Sequence, residues 1–517
     1  MRTSVVIAAA GVLVLAAGGA YYGHEVYLQR QFRAGLDQTL AALPAGTTAT
    51  YKDAHYSVVS KQAIVTGLTL HGVIAGPSPQ PIEVTIDSIE TTNPNLDFAR
   101  AWADAVAHAA TLTPETSFAV ADAISVKGVI VHSALISGAA ESARIDKPRL
   151  YPWALLHAGM PSWTELQASL APRSEPPTLA DLQPLLRAEA TVLLALAYDT
   201  YEVGAAKFTE TLPEIDIAYD VHKMTGSGFD RGVINQAAGE GIIFHGNKIG
   251  TLSVDRVTMG ATDLRAPMIR LVNGEAASAA LLDAIGIGRV EYAGITIQPP
   301  DKPSMHVGSF SIGPIAFAKG MPVSGTLAWN DISVPQSLVT DANARQVFTE
   351  LGLETITTSF ALSYDWDIAR QHASLHDTML KVNELGTITI AADLTNVVAT
   401  TAAWAQARLA HAKLRFEDAS LVERLLRMGA TMAGTDPAAY RQQIVDLVHQ
   451  QATTAGGDSP LLVAAGQAAG DFITSPHSLT IELSPKAPVP FIAFMSAAAA
   501  PARFAGRVGL AVSANQP

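Results

Sequence analysis

The stretch Ile356-Thr357-Thr358-Ser359-Phe360-Ala361-Leu362-Ser363-Tyr364-Asp365-Trp366-Asp367-Ile368 decides the fold. Ile356, Phe360, Leu362, Tyr364, Trp366 and Ile368 occupy even positions; Thr357, Ser359, Ser363, Asp365 and Asp367 occupy odd ones. A period of two sends these sets to opposite sides of a pleated strand, giving a sheet with one apolar and one wet face. Run straight, the segment 354–370 would extend roughly 55 Å, against a usual strand of about five or six residues. Strands of that length favour extended, twisted sheets over a compact sandwich.

The same alternation recurs outward from this stretch. In 214–222, Ile215, Ile217, Tyr219 and Val221 oppose Glu214, Asp216, Asp220 and His222, and in 386–394, Ile388, Ile390 and Leu394 are in phase. The candidate apolar sheet face is therefore Ile215, Ile217, Tyr219, Val221, Phe360, Leu362, Tyr364, Trp366, Ile388 and Ile390. Upstream, 48–59 and 63–74 read as a hairpin around Ser60-Lys61-Gln62, followed by strands at 82–89 and 119–133. Glycine interrupts three similar strands: Val65-Thr66-Gly67-Leu68, Val126-Lys127-Gly128-Val129 and Tyr292-Ala293-Gly294-Ile295.

Helical signals fall between these regions. Residues 96–110 read as a helix. Thr178 with Asp181 opens another, its apolar stripe running from Leu182 to Leu196 and tolerating Pro184 near its start. From 401 the chain reads as mostly helical. There is a segment at 402–412, a capping box Ser420-Leu421-Val422-Glu423 leading to Gly429, a helix after Asp436-Pro437, and a Gly-rich break at 453–459. The end reads as strand 478–483, a Pro-rich turn, a short apolar helix 491–500 and strand 507–513.

The opening residues set a location. No charged side chain lies between Thr3 and Gly23, and Val5, Val6, Ile7, Val12, Leu13, Val14 and Leu15 make an apolar core followed by Tyr21 and Tyr22. About twenty such residues suffice to cross a bilayer, and tyrosines favour its interface. The expectation is a single-pass inner-membrane anchor with the bulk of the chain in the periplasm. The small-residue run Gly18-Gly19-Ala20 also suits a cleaved signal peptide, which would give a secreted or periplasmic product.

The expected fold class is thus α+β: an N-terminal transmembrane helix followed by long twisted antiparallel β-sheets with helical insertions. The segments are an anchor or signal (1–23), a juxtamembrane helix (24–46), a first β-rich region (47–177) and a helical insertion (178–205). A second β-rich region (206–400), a helical region (401–472) and a C-terminal strand-helix-strand (473–517) follow.

Composition narrows the function. The 517 residues include no cysteine, which removes disulfides, thiol nucleophiles and Cys-ligated metal centres. A net charge of −13 without a long basic run makes nucleic acid a poor partner. His372 and His376 fall on a predicted strand, where four residues span about 13 Å, too far for one metal ion. Gly226-Ser227-Gly228-Phe229-Asp230-Arg231-Gly232 departs from dinucleotide-binding spacing and reads as turn glycines. Gly308-Ser309-Phe310-Ser311-Ile312-Gly313 lacks the spacing of a nucleophile elbow. Glu214, Asp216, Asp220, Asp365 and Asp367 lie on polar strand faces. Lys413, Arg415, Arg424 and Arg427 form a modest basic cluster, and Trp153 and Trp163 sit among prolines. No catalytic, cofactor or metal site emerges.

The order of parts carries a resemblance. An apolar start with Tyr22-Gly23 leads to an amphipathic helix, then to Tyr56-Ser57-Val58-Val59 and Val65-Thr66-Gly67-Leu68-Thr69-Leu70. The end carries Leu479-Thr480-Ile481-Glu482-Leu483-Ser484-Pro485 and Pro488-Val489-Pro490. This layout resembles the YdgA-like family of uncharacterised bacterial envelope proteins and, more loosely, AsmA-like periplasmic proteins. The resemblance implies a β-rich envelope protein handling lipid, with membrane lipids and envelope proteins as partners. The competing expectations are a non-enzymatic structural or interaction scaffold, whose own helices plug the apolar faces, and an exported hydrolase.

Overall fold

The computed structural model describes residues 25–516 apart from 42, 44–45, 75–79, 135, 158–160, 162–164, 166–168, 170–177, 212–215, 399–405, 457–458 and 495–499. The chain divides into two compact units, 1–290 and 291–517. The boundary falls within the stretch read as the second β-rich region.

In the first unit, helix α1 (Glu25–Ala41) precedes strands β1 (Thr48–Thr50), β2 (Asp53–Ser57), β3 (Gln62–Ile74) and β4 (Gln80–Thr92). Then come α2 (Phe98–Ala107), β5 (Phe118–Ala119), β6 (Ala123–Ser133), β7 (Ile136–Asp146), β8 (Arg149–Leu150), α3 (Pro152–His157) and α4 (Leu179–Leu194). Strands β9 (Leu196–Val203), β10 (Ala206–Thr211), β11 (Asp216–Asp230), β12 (Val233–Gly246), β13 (Gly250–Met259) and β14 (Thr262–Asp263) lead to α5 (Arg265–Val272). All their pairings are antiparallel. β1 and β2 both pair with β3, and the order continues β4, β6, β7. β9 and β10 both bridge β7 to β11, beyond which lie β12 and β13.

Helix α1 lays Phe32 and Leu36 on the apolar face of the first strands, against Ala54, Tyr56, Ala63, Val65, Leu68, Ile86 and Ile89. A second cluster joins Trp153 and Ala154 of α3 to Ala190 and Leu194 of α4 and Met268, Leu271 and Val272 of α5. Helix α1 thus covers a sheet face, while α3, α4 and α5 pack against one another.

The second unit contains β15 (Val290–Gln298), β16 (Met305–Ile312), β17 (Ala316–Ala318), β18 (Met321–Pro335), α6 (Ala342–Glu350), β19 (Thr355–Asp367), β20 (His372–Val382) and β21 (Gly386–Thr395). It ends with β22 (Arg408–Asp418), α7 (Leu421–Ala433), α8 (Pro437–Gly456), α9 (Pro460–Thr474), β23 (Ser478–Leu483), β24 (Val489–Pro490), α10 (Pro501–Val508) and β25 (Leu510–Ala514). Antiparallel pairing runs β16, β18, β19, β20, β21, β22, β23, β25.

Several expectations need correction. Strand accounts for 48% and helix for 30%, so the described chain is mainly β rather than α+β. Among the described residues no helix is long and apolar enough to cross a membrane. The longest ones are broken by charge: α1 carries Arg30, Arg33 and Asp37, and α8 carries Arg441 and Asp446. The class headed by a transmembrane helix and the single-pass inner-membrane location are therefore not supported. Val5, Val6, Ile7, Val12, Leu13, Val14, Leu15, Tyr21 and Tyr22 lie outside the described residues. Of the helix expected at 402–412, residues 402–405 lie outside the described residues, and from Arg408 the chain is strand β22, paired with β21 on one side and with β24 and then β23 on the other. Helix α7 runs past Gly429 to end on Gly434 in the left-handed conformation. The glycines at 226–232 are not all turn residues, because Gly226 and Gly228 lie within β11.

The glycine-marked strands also find an explanation. Gly67, Gly128 and Gly294 all have φ near +60° (60°, 61° and 62°). At Gly128 a Cβ would come within 2.0 Å of the Asp87 carboxylate on the neighbouring strand, so both the backbone angle and the space demand glycine. Register runs on unchanged past this point, with Ile86 opposite Val129 and Ser88 opposite Lys127, so the glycine lets the strand continue without a shift.

Candidate functional site

Directly opposed residues of an antiparallel pair share a face. Following the pairings strand by strand therefore reconstructs each sheet's apolar surface. In the second unit one row reads Phe310, Trp329, Phe360, Leu380, Ile388, Phe416, Leu479, Ala514. A parallel row reads Thr378, Ile390, Leu414, Ile481, Val512. Another reads Tyr364, Leu375, Ala392, Ala412, Leu483, Leu510. The Trp329 and Phe360 rings stack with centroids 4.5 Å apart, and Tyr292 of β15 lies against Phe310 at 6.1 Å.

This face is only partly covered along its length, and Leu414, Phe416, Leu479, Ile481 and Val512 are half-buried. At the β22 end Phe472 of α9 packs its ring on Phe416 at 5.9 Å. Toward β16, Phe310, Trp329, Phe360, Leu362, Tyr364, Ile388 and Ile390 are only half-buried, and Leu380 is 42% exposed. Trp366 is also half-buried, its indole N–H donating to the Val397 carbonyl at 3.1 Å.

The first unit repeats the design. One row runs Ala49, Leu70, Val84, Val131, Gly138, Phe208, Tyr219, Phe244, Leu252. Its neighbour runs Leu68, Ile86, Val129, Ala140, Ala206, Val221, Ile242, Val254. Gly138 leaves room for the Phe208 ring, which a Cβ there would meet at 2.5 Å. Tyr219 meets Phe244 edge-on at 5.4 Å. Helix α1 closes the β3 end, while Ile217, Tyr219 and Val221 stay half-buried. Ile215 lies outside the described residues, as does Glu214.

The opposite, polar face of the second sheet holds the histidines and carboxylates. His372 and His376 both lie on β20 and face different partners. His376 contacts Asp365, and His372 Nε2 is 3.9 Å from Asp393, which also accepts from Ser374 Oγ at 2.6 Å. His411 Nε2 is 3.3 Å from Glu482, and together with Ser484 it holds that carboxyl below the usual carboxylate range. Asp367 accepts from the Arg370 amide, and Asp220 pairs with Lys207 at 3.5 Å. Among the described residues no group of three or more His, Asp or Glu side chains is placed to hold a metal ion.

The basic residues do not converge. Lys413 and Arg415 lie on β22, where Arg415 pairs with Glu417 at 2.9 Å. Arg424, on α7, pairs with Glu384 at 2.8 Å and donates to the Leu351 carbonyl. Trp153 is buried in the α3–α5 cluster, and Trp163 lies outside the described residues.

Sequence reasoning missed one polar node. Arg231, 7% exposed, pairs with Glu115 at 2.8 Å and Asp230 at 3.2 Å, donates to the Pro114 carbonyl at 2.9 Å and lies 4.5 Å over the Tyr151 ring. Arg265 adds a second cation on Asp230 at 2.7 Å. The only local signal was the dipeptide Asp230-Arg231 between glycines. Its other partners, Glu115, Pro114 and Tyr151, lie far away in sequence, and the node ties strands to loops rather than lining a cleft.

Residues 379–515 match a bacterial family model described as “Uncharacterized protein”. The match begins inside β20 and runs past the end of β25, so it contains the second apolar face from Leu380 to Ala514. No curated protein matches the chain.

Proposed function

We propose that the protein binds elongated apolar molecules, lipid acyl chains above all, along the apolar faces of its sheets, and catalyses no reaction on them. One observation carries this reading. The in-register apolar row from Phe310 to Ala514 stays half-buried rather than buried, with Leu380 42% exposed. Water against such a strip is unfavourable by about 25 cal/mol per Å² of apolar surface. An acyl chain suits the strip because it is long, narrow and makes no hydrogen-bond demands. Each buried methylene contributes about 0.8 kcal/mol. The likeness in layout to YdgA-like and AsmA-like proteins, the latter implicated in lipid handling, supports the same reading.

The test is organic extraction of the purified chain followed by lipid mass spectrometry, with titration of a fluorescent fatty acid. Lipid should be recovered and binding should saturate. Leu380→Glu, at an exposed position on the strip, should weaken binding at least tenfold and leave the thermal transition nearly unmoved. Empty extracts together with no saturable binding would sink the proposal.

A second reading, a scaffold without ligand, draws on the covers already in place: α1 over β3 and α9 over β22. Capture of protein partners by lipid-free chain would favour it.

A further inference from the structure

Strand β25 ends the second sheet. It pairs with β23 through Leu479 opposite Ala514, Ile481 opposite Val512 and Leu483 opposite Leu510. Along an antiparallel strand, main-chain groups alternate between facing the partner and facing away. Two hydrogen bonds set the phase here. The Asn515 N–H donates to the Ser478 carbonyl at 2.7 Å, and the Ser484 N–H donates to the Gly509 carbonyl at 3.3 Å. Residues 509, 511, 513 and 515 therefore direct their peptide groups at β23, and Leu510, Val512 and Ala514 direct theirs outward. Among the described residues no strand takes up that outer edge.

Exposed edges are normally guarded by charge, proline or a bulge. The edge at β2 carries Asp53, tied to Arg33, together with His55. By contrast Leu510-Ala511-Val512-Ser513-Ala514 has no charge, no proline and no left-handed residue.

We propose that β25 is a homotypic interface, at which two copies of this chain pair β25 to β25, antiparallel, about a two-fold axis at Val512. The register is self-consistent. Val512 faces Val512 of the second copy as a hydrogen-bonded pair. Leu510 faces Ala514 of the second copy, and Ala514 faces its Leu510. All outward peptide groups are satisfied at once, as an isologous contact requires. Side chains agree with this parity. Leu510, Val512 and Ala514 belong to the apolar face, which runs on into the second copy without a step. On the polar face Ala511 meets Ser513 of the second copy, two small uncharged residues. Glu482, the nearest acid in register, is already engaged with His411 and Ser484.

Because the chain contains no cysteine, introduced thiols report without background. Ala511 and Ser513 of the second copy form a non-hydrogen-bonded pair, with Cα atoms about 4.5 Å apart, inside disulfide range. Full chains carrying Ala511→Cys and Ser513→Cys are co-expressed, purified and treated with a mild oxidant. The expected product is a disulfide-linked species of twice the 54.2 kDa chain mass, at least tenfold more abundant than from either variant alone. Val512→Pro removes one outward N–H and keeps the bonds to β23. It should abolish the crosslink and give a monomer in sedimentation, with the sheet circular-dichroism signal retained. If that signal is lost, Ala514→Pro at the strand's end replaces it. A monomeric unmodified chain, an equal crosslink in the single variants, or a crosslink surviving the proline would each overturn the proposal. So would an edge occupied solely by a strand of another protein.

Discussion

Arg231 shows what one side chain can hold together. Its guanidinium is removed from water, and Glu115, Asp230 and the Tyr151 ring replace that solvation. The hydrogen bond from Arg231 holds the Glu115 carboxyl below its ordinary range. Asp230 is likewise held low by Arg231 and Arg265, although its burial pushes the other way. A carboxylate whose folded pKa is depressed adds stability above its unfolded pKa and loses it as pH falls through the folded value. Glu115 and Asp230, with ordinary values of 4.5 and 3.8, should thus destabilise the first unit as pH drops below about 4.5. Thermal melts across that window should show the decline, and Glu115→Gln should flatten it. Since Glu115 is largely exposed, the effect per group is small. An identical slope in the variant would refute this account. Nothing near position 231 announces these partners, because charge pairing across a fold leaves no periodic trace.

Caps and strand choices belong to the next level up. Thr178 accepts from the Asp181 amide while the Asp181 carboxylate accepts from the Thr178 amide, the reciprocal box that its sequence implied. Thr178→Ala should cost about 1 kcal/mol in denaturant unfolding, and no measurable loss would show that α4 starts independently of its cap. Ser420 offers the same local motif with a different outcome. Its hydroxyl donates to the Glu384 carbonyl, and the Val422 amide is taken by Asp418 instead. A distant carbonyl outcompeted the local partner. The misread segment at 402–412 has a similar cause. Its alanines suit a helix, but from Arg408 on β21 offers a ladder on one side and β24 and β23 on the other, and backbone pairing overrode propensity.

Each of the two units carries a run of antiparallel strands, a core and helical covers. The fragment 291–517 should therefore fold alone, with a sheet-type circular-dichroism spectrum and a cooperative melt. The shorter stretch 379–515, although it matches a family model, starts inside β20 and discards β19. It should aggregate, and a soluble, cooperatively melting 379–515 would contradict this picture. Alternation and the Thr178–Asp181 capping box were legible along the chain because they follow from backbone geometry over a few neighbouring residues. That is why the alternating stretches at 356–368 and 386–394 pointed to strands, found as β19 and β21. Register, the meeting of Phe310 with Trp329 and Phe360, the partial covering of the apolar face, the Arg231 node and the division at 290 were not legible. Each depends on which remote segment supplies the opposing hydrogen bonds and which helix comes back to cover the surface, and a local period carries no record of that choice.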